Sequence, residues 1–266
     1  MRHLAGFIGV GNMGGALAVA AGKTTKDIAV ADKDEKKCAD FAAKYGFEPT
    51  DNTSIAESCK YIFFGVKPQF LDGMISEIKD TLKTRKDRFI IVTMAAGVQI
   101  SAIKEKLGFD CPVIRIMPNT PVFVSSGMIL VSADKSVEKA ELDEFFEFMS
   151  QSGQFDIIPE NLIDAGSAVS GCGPAFVYMF MQSLADGAVE CGLPRDKAIR
   201  YAAETVIGSA KMALESGKHP EKLKDEVCSP GGTTIAGVHV LENRGFRAAC
   251  MEAVTEAYDK TLKLKK

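Results

Sequence analysis

Along the first half of the chain, apolar residues come in short continuous runs separated by polar, helix-forming stretches. Leu4–Ile8, Ile28–Ala31, Tyr61–Val66, Phe89–Met94, Val113–Met117, Gly127–Ser132 and Phe155–Ile158 are such runs. They are strand-length, and Tyr61–Val66 has the unbroken apolar character of a parallel strand covered on both faces. Gly15–Ala20, Glu35–Lys44 and the amphipathic segment Val137–Ser150 read as helices between them, and Pro68 starts another. Strands alternating with helices predict a doubly wound α/β sheet. After Pro159 the strand pattern stops. Asn161–Val169, Pro174–Cys191, Arg195–Ser216, Pro220–Val227, Thr233–Asn243 and Gly245–Leu264 read as helices, broken by Gly192-Leu193-Pro194, Gly217 and Gly245. The expected division is a sheet domain over residues 1–159 and an all-helical domain over residues 160–266. The stretch Ser170-Gly171-Cys172-Gly173-Pro174 is expected to break the first long helical region.

The first apolar run ends in Gly9-Val10-Gly11-Asn12-Met13-Gly14, and a helix follows at once. Strand, glycine turn and helix N-terminus is the arrangement that binds a dinucleotide. Gly9 allows the turn, Gly11 lets backbone approach a pyrophosphate, and Gly14 lets helix and strand pack closely. The helix start offers unpaired N–H groups and the positive end of its dipole. Asp32 closes the second strand at the position expected to bond the adenosine ribose. Taken alone it favours NADH, because its charge repels a 2′-phosphate. Lys33, Lys36 and Lys37 follow directly and are placed to hold that phosphate. The competing reading is that Asp32 caps the helix Glu35–Lys44. Lys67-Pro68-Gln69 lies at the carboxyl end of another strand, where ligands of open α/β sheets sit. There Lys67 either takes part in the chemistry or orders the loop beside the cofactor. Ala95-Ala96-Gly97, after the next strand, is small enough for a flat ring to approach the backbone. Pro118-Asn119-Thr120-Pro121 is a loop fixed by two prolines, with Asn119 its one amide side chain.

Composition changes this picture little. The chain has 266 residues, 46% apolar and 25% charged, with a net charge of -3. That charge gives no electrostatic argument for nucleic acid or an anionic membrane. The seven cysteines form no C-x-x-C pair, and no signal peptide is read before the first strand, so a reducing cytoplasm is expected. Three scattered histidines offer no metal site. The 21 uncharged residues Ala165–Ala185 are long enough to span a bilayer. Their serines, glycines and Pro174 instead indicate a helix buried in protein.

A second glycine-rich turn, Ser229-Pro230-Gly231-Gly232, leads into the helix that starts Thr233-Thr234. It reads either as a second anion site, suited to a carboxylate, or as a capped helix start. Together with Phe7–Gly14, Val66-Lys67-Pro68-Gln69, Met94–Val98, Met117–Pro121 and Ser170–Phe176, this stretch resembles the pyrroline-5-carboxylate reductases over nearly the whole chain. The resemblance implies a Rossmann-type N-terminal domain with a C-terminal helical dimerisation domain. It also implies a homodimer, in larger assemblies an oligomer of dimers, with active sites at the subunit interface. The exposed apolar surface expected of the helices would be buried there.

The resemblance also implies residue roles. Cofactor contacts, to NADPH or NADH, fall on Ile8, Gly9, Val10, Gly11, Asn12 and Met13, on Asp32 and Lys33, and on Asn52. They continue on Gly65, Val66, Lys67 and Pro68, and on Met94, Ala95 and Ala96. Substrate contacts fall on Glu160, Ser229, Gly231, Gly232, Thr233 and Thr234, with Thr234 as the catalytic hydrogen-bonding group. The implied reaction is hydride transfer to the imine carbon of 1-pyrroline-5-carboxylate, giving L-proline, with no metal. Asp32-Lys33 departs from the common pattern of the family, as does Cys172, which stands where serine is frequent. Two other readings share the layout. A hydroxyacid or phosphogluconate dehydrogenase places a catalytic lysine in the first long helix of its second domain, but Asn161–Cys191 contains no lysine. A nicotinamide-binding regulator would have no use for a second anion site.

Overall fold

The computed structural model describes residues 3–264. The sheet strands are β1 (His3–Ile8), β2 (Ile28–Ala31), β3 (Glu48–Pro49), β4 (Cys59–Phe64), β5 (Ile90–Thr93), β6 (Val113–Met117), β7 (Gly127–Ala133) and β8 (Gly153–Ile157). The helices joining them are α1 (Asn12–Ala21), α2 (Glu35–Tyr45), α3 (Asn52–Ser58), α4 (Pro68–Thr84), α5 (Ile100–Leu107) and α6 (Lys139–Phe148). The strands form one sheet in the order β3-β2-β1-β4-β5-β6-β7-β8. All neighbours are parallel except β6 and β7. The exception follows from chain length. Only a single 3-10 turn, Thr120–Val124, lies between β6 and β7, too little for the crossover a parallel pair needs.

The continuous apolar runs serve two cores at once. Ala5, Phe7, Val30, Tyr61, Phe63, Val92, Ile114 and Ile116 face a core that includes residues of α1, α2 and α6. Ile8, Ala29, Ala31, Ile62, Phe64, Ile91 and Val113 face the opposite core, with α3, α4 and α5. Neighbouring strands put Phe7 and Phe63 in register, and their rings stack with centroids 4.1 Å apart. Helix boundaries follow local chemistry. Asp34 caps α2, its side chain accepting the Lys37 N–H at 3.0 Å. Pro68 opens α4.

The sequence pattern did not register β3, α3 and α5, which are two, seven and eight residues long. The last strand runs Gly153–Ile157, slightly ahead of the expected Phe155–Ile158, because its register with β7 begins at the Gly127–Gly153 pair. There a Cβ on Gly153 would lie 2.0 Å from the Gly127 carbonyl oxygen.

Strands end at Ile157, but the packing divides later. A short turn, Glu160–Leu162, and α7 (Ile163–Ser170) stay with the sheet, where Ile163 joins Met117 and Leu130 in a small core. Residues up to Cys172, together with those from Tyr258 onward, form one packing unit, and Gly173–Ala257 form the other. The second unit contains α8 (Gly173–Glu190), α9 (Arg195–Glu215), α10 (Pro220–Val227), α11 (Thr233–Asn243) and the start of α12 (Phe246–Leu264). The break expected at Ser170–Pro174 therefore separates α7 from α8. The helices α8 and α9 form a hairpin closed on small residues, with Ala185, Ala198 and Ala202 buried. Tyr178, Met179, Met212, Leu214, Val240 and Met251 are exposed on this unit in the single chain. No described helix is long and apolar enough to cross a membrane.

Candidate active site

The glycine turn after β1 is built from backbone alone. Gly9 adopts φ +97°, open to glycine at little cost. A Cβ on Gly14 would lie 2.1 Å from the Gly9 carbonyl oxygen, and one on Gly65 would lie 2.5 Å from the same atom. Strand end, helix start and the turn after β4 thus interlock at distances no side chain permits. Gly11, by contrast, has open space where its Cβ would point, and it precedes the first turn of α1 without any side-chain cap. The α1 N–H groups are left for a ligand. These features fit a dinucleotide pyrophosphate.

Asp32, just after β2, is committed to this turn. Its Oδ2 accepts the Val10 N–H at 3.0 Å and its Oδ1 accepts the Asp34 N–H at 3.2 Å. It is not the helix cap, a role taken by Asp34. Lys37 Nζ stands 3.3 Å from Asp32 Oδ2, with the lysine half exposed and the aspartate side chain 11% exposed. Lys33 turns the other way, its ammonium 4.4 Å from the centre of the exposed Phe70 ring on α4. Asn52, the first residue of α3, donates from Nδ2 to Glu77 Oε2 at 2.8 Å. A cleft of about 290 Å³ opens beside the turn, lined by Gly11, Asn12, Val19, Lys23, Lys37 and Phe41 among others.

Gly65–Pro68 and Met94–Ala96 lie at the carboxyl ends of β4 and β5, next in order after β1 in the sheet. The sequence-read cofactor residues after β1, β2, β4 and β5 therefore gather on one edge of four adjacent strands, and Asn52 lies just after the neighbouring β3. Lys67 is the N-cap residue of α4 and makes no side-chain cap bond. Asn119 ties the proline-bounded loop at both ends of its amide, donating to Ser170 O at 2.9 Å and accepting the Met128 N–H at 2.9 Å.

Glu160 is not free in solvent. Its Oε1 accepts the Ile100 N–H at 2.7 Å and an Arg115 Nη1 hydrogen at 3.3 Å. Arg115 is wholly buried in β6 and also holds Asp164 Oδ1 at 2.7 Å. The sequence reading counted Arg115 only as part of a strand. The signal was present, because a guanidinium within the apolar run Val113–Met117 requires a buried acidic partner.

In the second unit, Gly231 takes φ +66° and Gly232 is the N-cap residue of α11, with no side-chain cap bond. The Gly232 N–H is bonded to Ser229 O at 3.0 Å, and the Ala236 N–H closes the first turn of α11 onto Gly232 O at 3.4 Å. The N–H groups of Thr233, Thr234 and Ile235 precede it and stand at the helix N-terminus. A Cβ on Gly232 would lie 2.3 Å from Ser229 Oγ, so a side chain here would displace the serine hydroxyl from the turn. Ser229, Gly231, Gly232, Thr233 and Thr234 thus make one donor-rich turn at a helix N-terminus, a setting suited to a carboxylate. Among the described residues no group of acids, cysteines and histidines is placed to hold a metal ion.

Comparison with known proteins shows the family and the fold. A family model described as pyrroline-5-carboxylate reductase dimerisation matches residues 160–264. One described as NADP oxidoreductase, coenzyme F420-dependent, matches residues 5–97. The chain is 41% identical to the pyrroline-5-carboxylate reductase of Escherichia coli K12 over the full length of both proteins. It is 40% identical to that of Methanosarcina acetivorans, over 98% of this chain and 97% of the relative. The solved pyrroline-5-carboxylate reductase of Coxiella burnetii superposes with a TM-score of 0.89 at 31% identity, covering both chains fully. That of Plasmodium falciparum, solved with NADP bound, superposes with a TM-score of 0.88 at 28% identity, covering 100% of this chain and 99% of the other.

Proposed function

The chain belongs to the pyrroline-5-carboxylate reductase family, and from that premise we propose how its residues share the work. The protein is an oxidoreductase that reduces 1-pyrroline-5-carboxylate to L-proline, the last step of proline biosynthesis, with NADPH as cofactor. NADPH, when bound, supplies the hydride. The observation that carries the division of labour is the pair of glycine-built helix starts, one per unit, at Gly11 and at Gly232.

In our reading Ile8–Met13 receive the pyrophosphate on the N-terminus of α1. Asp32 and Lys33 flank the adenosine, with Asn52 nearby, while Gly65–Pro68 and Met94–Ala96 line the nicotinamide half. Ser229, Gly231, Gly232, Thr233 and Thr234 bind the substrate carboxylate and so orient its ring. The Thr234 hydroxyl bonds the ring nitrogen. A protonated imine is already electrophilic, so the protein's contribution is to align two rings and exclude water. No strong acid is needed, and the one acid assigned to the substrate side, Glu160, has a carboxylate oxygen already engaged by the Ile100 N–H and by Arg115.

We further place the site in a homodimer, with dimers joining into larger oligomers. Support comes from the dimerisation match over residues 160–264 and the exposed apolar side chains of the second unit. A cytoplasmic location is supported by seven cysteines without a disulfide. The test is NADPH oxidation by the purified protein with pyrroline-5-carboxylate. Turnover with proline formed one-to-one supports the reading. Cofactor binding without turnover overturns it.

A further inference from the structure

Arg115 lies in the middle of β6, paired in register with Thr93 on β5 and Ser132 on β7, and no part of it reaches solvent. A charge in that position costs several kcal/mol unless oppositely charged groups meet it. Two carboxylates do, Asp164 and Glu160. The Glu160 oxygen that meets Arg115 is the same one that accepts the Ile100 N–H. Ile100 is the first residue of α5, and Gln99, in the N-cap position, makes no side-chain cap bond. A carboxylate sixty positions away in sequence therefore supplies the cap that the local sequence omits. What enters α5 is the segment Met94–Gln99, which turns at Gly97 with φ +74°.

We propose that Arg115 and Glu160 are positioning residues for the cofactor. Arg115 orients the Glu160 carboxylate, the carboxylate fixes the first turn of α5, and the fixed turn holds in place Met94–Ala96, the segment that would line the nicotinamide half of the cofactor. Glu160 then acts on the cofactor loop rather than through a charge on the substrate. This inference rests on the assignment of Met94–Ala96 to the cofactor.

The experiment compares Glu160→Ala, Glu160→Gln and Arg115→Lys in the full-length protein. NADPH affinity is read by nicotinamide fluorescence without substrate, with melting temperature and the pH profile of turnover recorded alongside. Glu160→Ala removes the cap and should weaken NADPH about tenfold, equivalent to about 1.4 kcal/mol. Glu160→Gln keeps an oxygen acceptor for the Ile100 N–H and should restore affinity to within about threefold of wild type. Neither should shift the pH profile. Arg115→Lys keeps a positive charge but loses the fork, and should weaken NADPH as Glu160→Ala does. Should Arg115→Lys fail to fold, the two Glu160 variants still decide the matter. Equal loss of NADPH affinity in both Glu160 variants would overturn the cap. So would wild-type NADPH affinity in both with turnover reduced alike, which is the signature of a charge acting on the substrate. Failure of the assigned reaction would look different, since wild-type protein would bind NADPH and leave pyrroline-5-carboxylate unreduced while the binding comparison still stood.

Discussion

Lys37 should set the preference for NADPH over NADH. Asp32 cannot leave its place without releasing the Val10 N–H, so its negative charge is a fixed cost to any 2′-phosphate nearby. Lys37, 3.3 Å from Asp32 Oδ2, masks that charge and brings a cation to the same edge. In water two unit charges at that distance attract by about 1.3 kcal/mol. Lysine exposure and salt reduce the useful part to about 0.5–1 kcal/mol. Lys37→Gln removes attraction to the phosphate and unmasks Asp32, two contributions of similar size. Together, at about 1–2 kcal/mol, they should lower the ratio of kcat/KM for NADPH to that for NADH by about five- to thirtyfold. Asp32→Asn, which keeps an oxygen for Val10, should move the ratio the opposite way. The assay is initial-rate cofactor oxidation with each cofactor at low and high salt, and the effect should shrink at high salt. A ratio within twofold of wild type at low salt would refute the reasoning. Equal losses with both cofactors would do the same, because they would assign Lys37 a structural part only.

Other outcomes follow from the same geometry. Gly14→Ala places a methyl group 2.1 Å from the Gly9 carbonyl, so β1 and α1 must separate. We expect a stability loss of about 1–3 kcal/mol by thermal unfolding and loss of measurable NADPH binding. Thr234→Ala should lower kcat by about ten- to a thousandfold while NADPH affinity holds, and near-normal turnover would remove Thr234 from the mechanism. Arg88, bonded to Glu141 at 2.7 Å, holds that carboxyl below the usual carboxylate range. A lowered folded-state pKa stabilises the protein above the unfolded value near 4.3 and is lost as pH falls through the folded value. Arg88→Gln should therefore cost about 1 kcal/mol at pH 7, allowing for the partly exposed arginine, and progressively less below pH 4, read from melting temperatures at both pH values.

What could be read in advance was whatever depends on near neighbours in sequence. The glycine turn, the strand runs and the helix start at Thr233 each carry their own signature, and α10 and α11 fall where the pattern placed them. The antiparallel β7 was not marked as such, because strand direction depends on connection length and on the sheet it joins rather than on strand composition. The unit boundary after Cys172 was hidden because α7 looks helical wherever it packs. The Arg115–Glu160 pair joins positions 45 apart, and no local pattern links them. Asp32 carried two local readings, and one of them fails because the neighbouring Asp34 takes the cap of α2.

The first strand made is not an edge of the sheet. β1 sits between β2 and β4, and Ala5 pairs with both Ile28 and Tyr61. On a ribosome adding about 5–20 residues per second, roughly thirty residues separate the completion of β2 from that of β4, a wait of about 2–7 s. Throughout that interval one edge of an apolar strand pair has no partner. The loop-closure cost of the longer pairing exceeds that of the shorter by less than about 1 kcal/mol, so the delay is one of synthesis rather than of equilibrium. Nascent chains of this protein are thus open to edge-to-edge association until Gly65 has been synthesised and has left the exit tunnel, and the Gly9 turn cannot close around its cofactor any sooner.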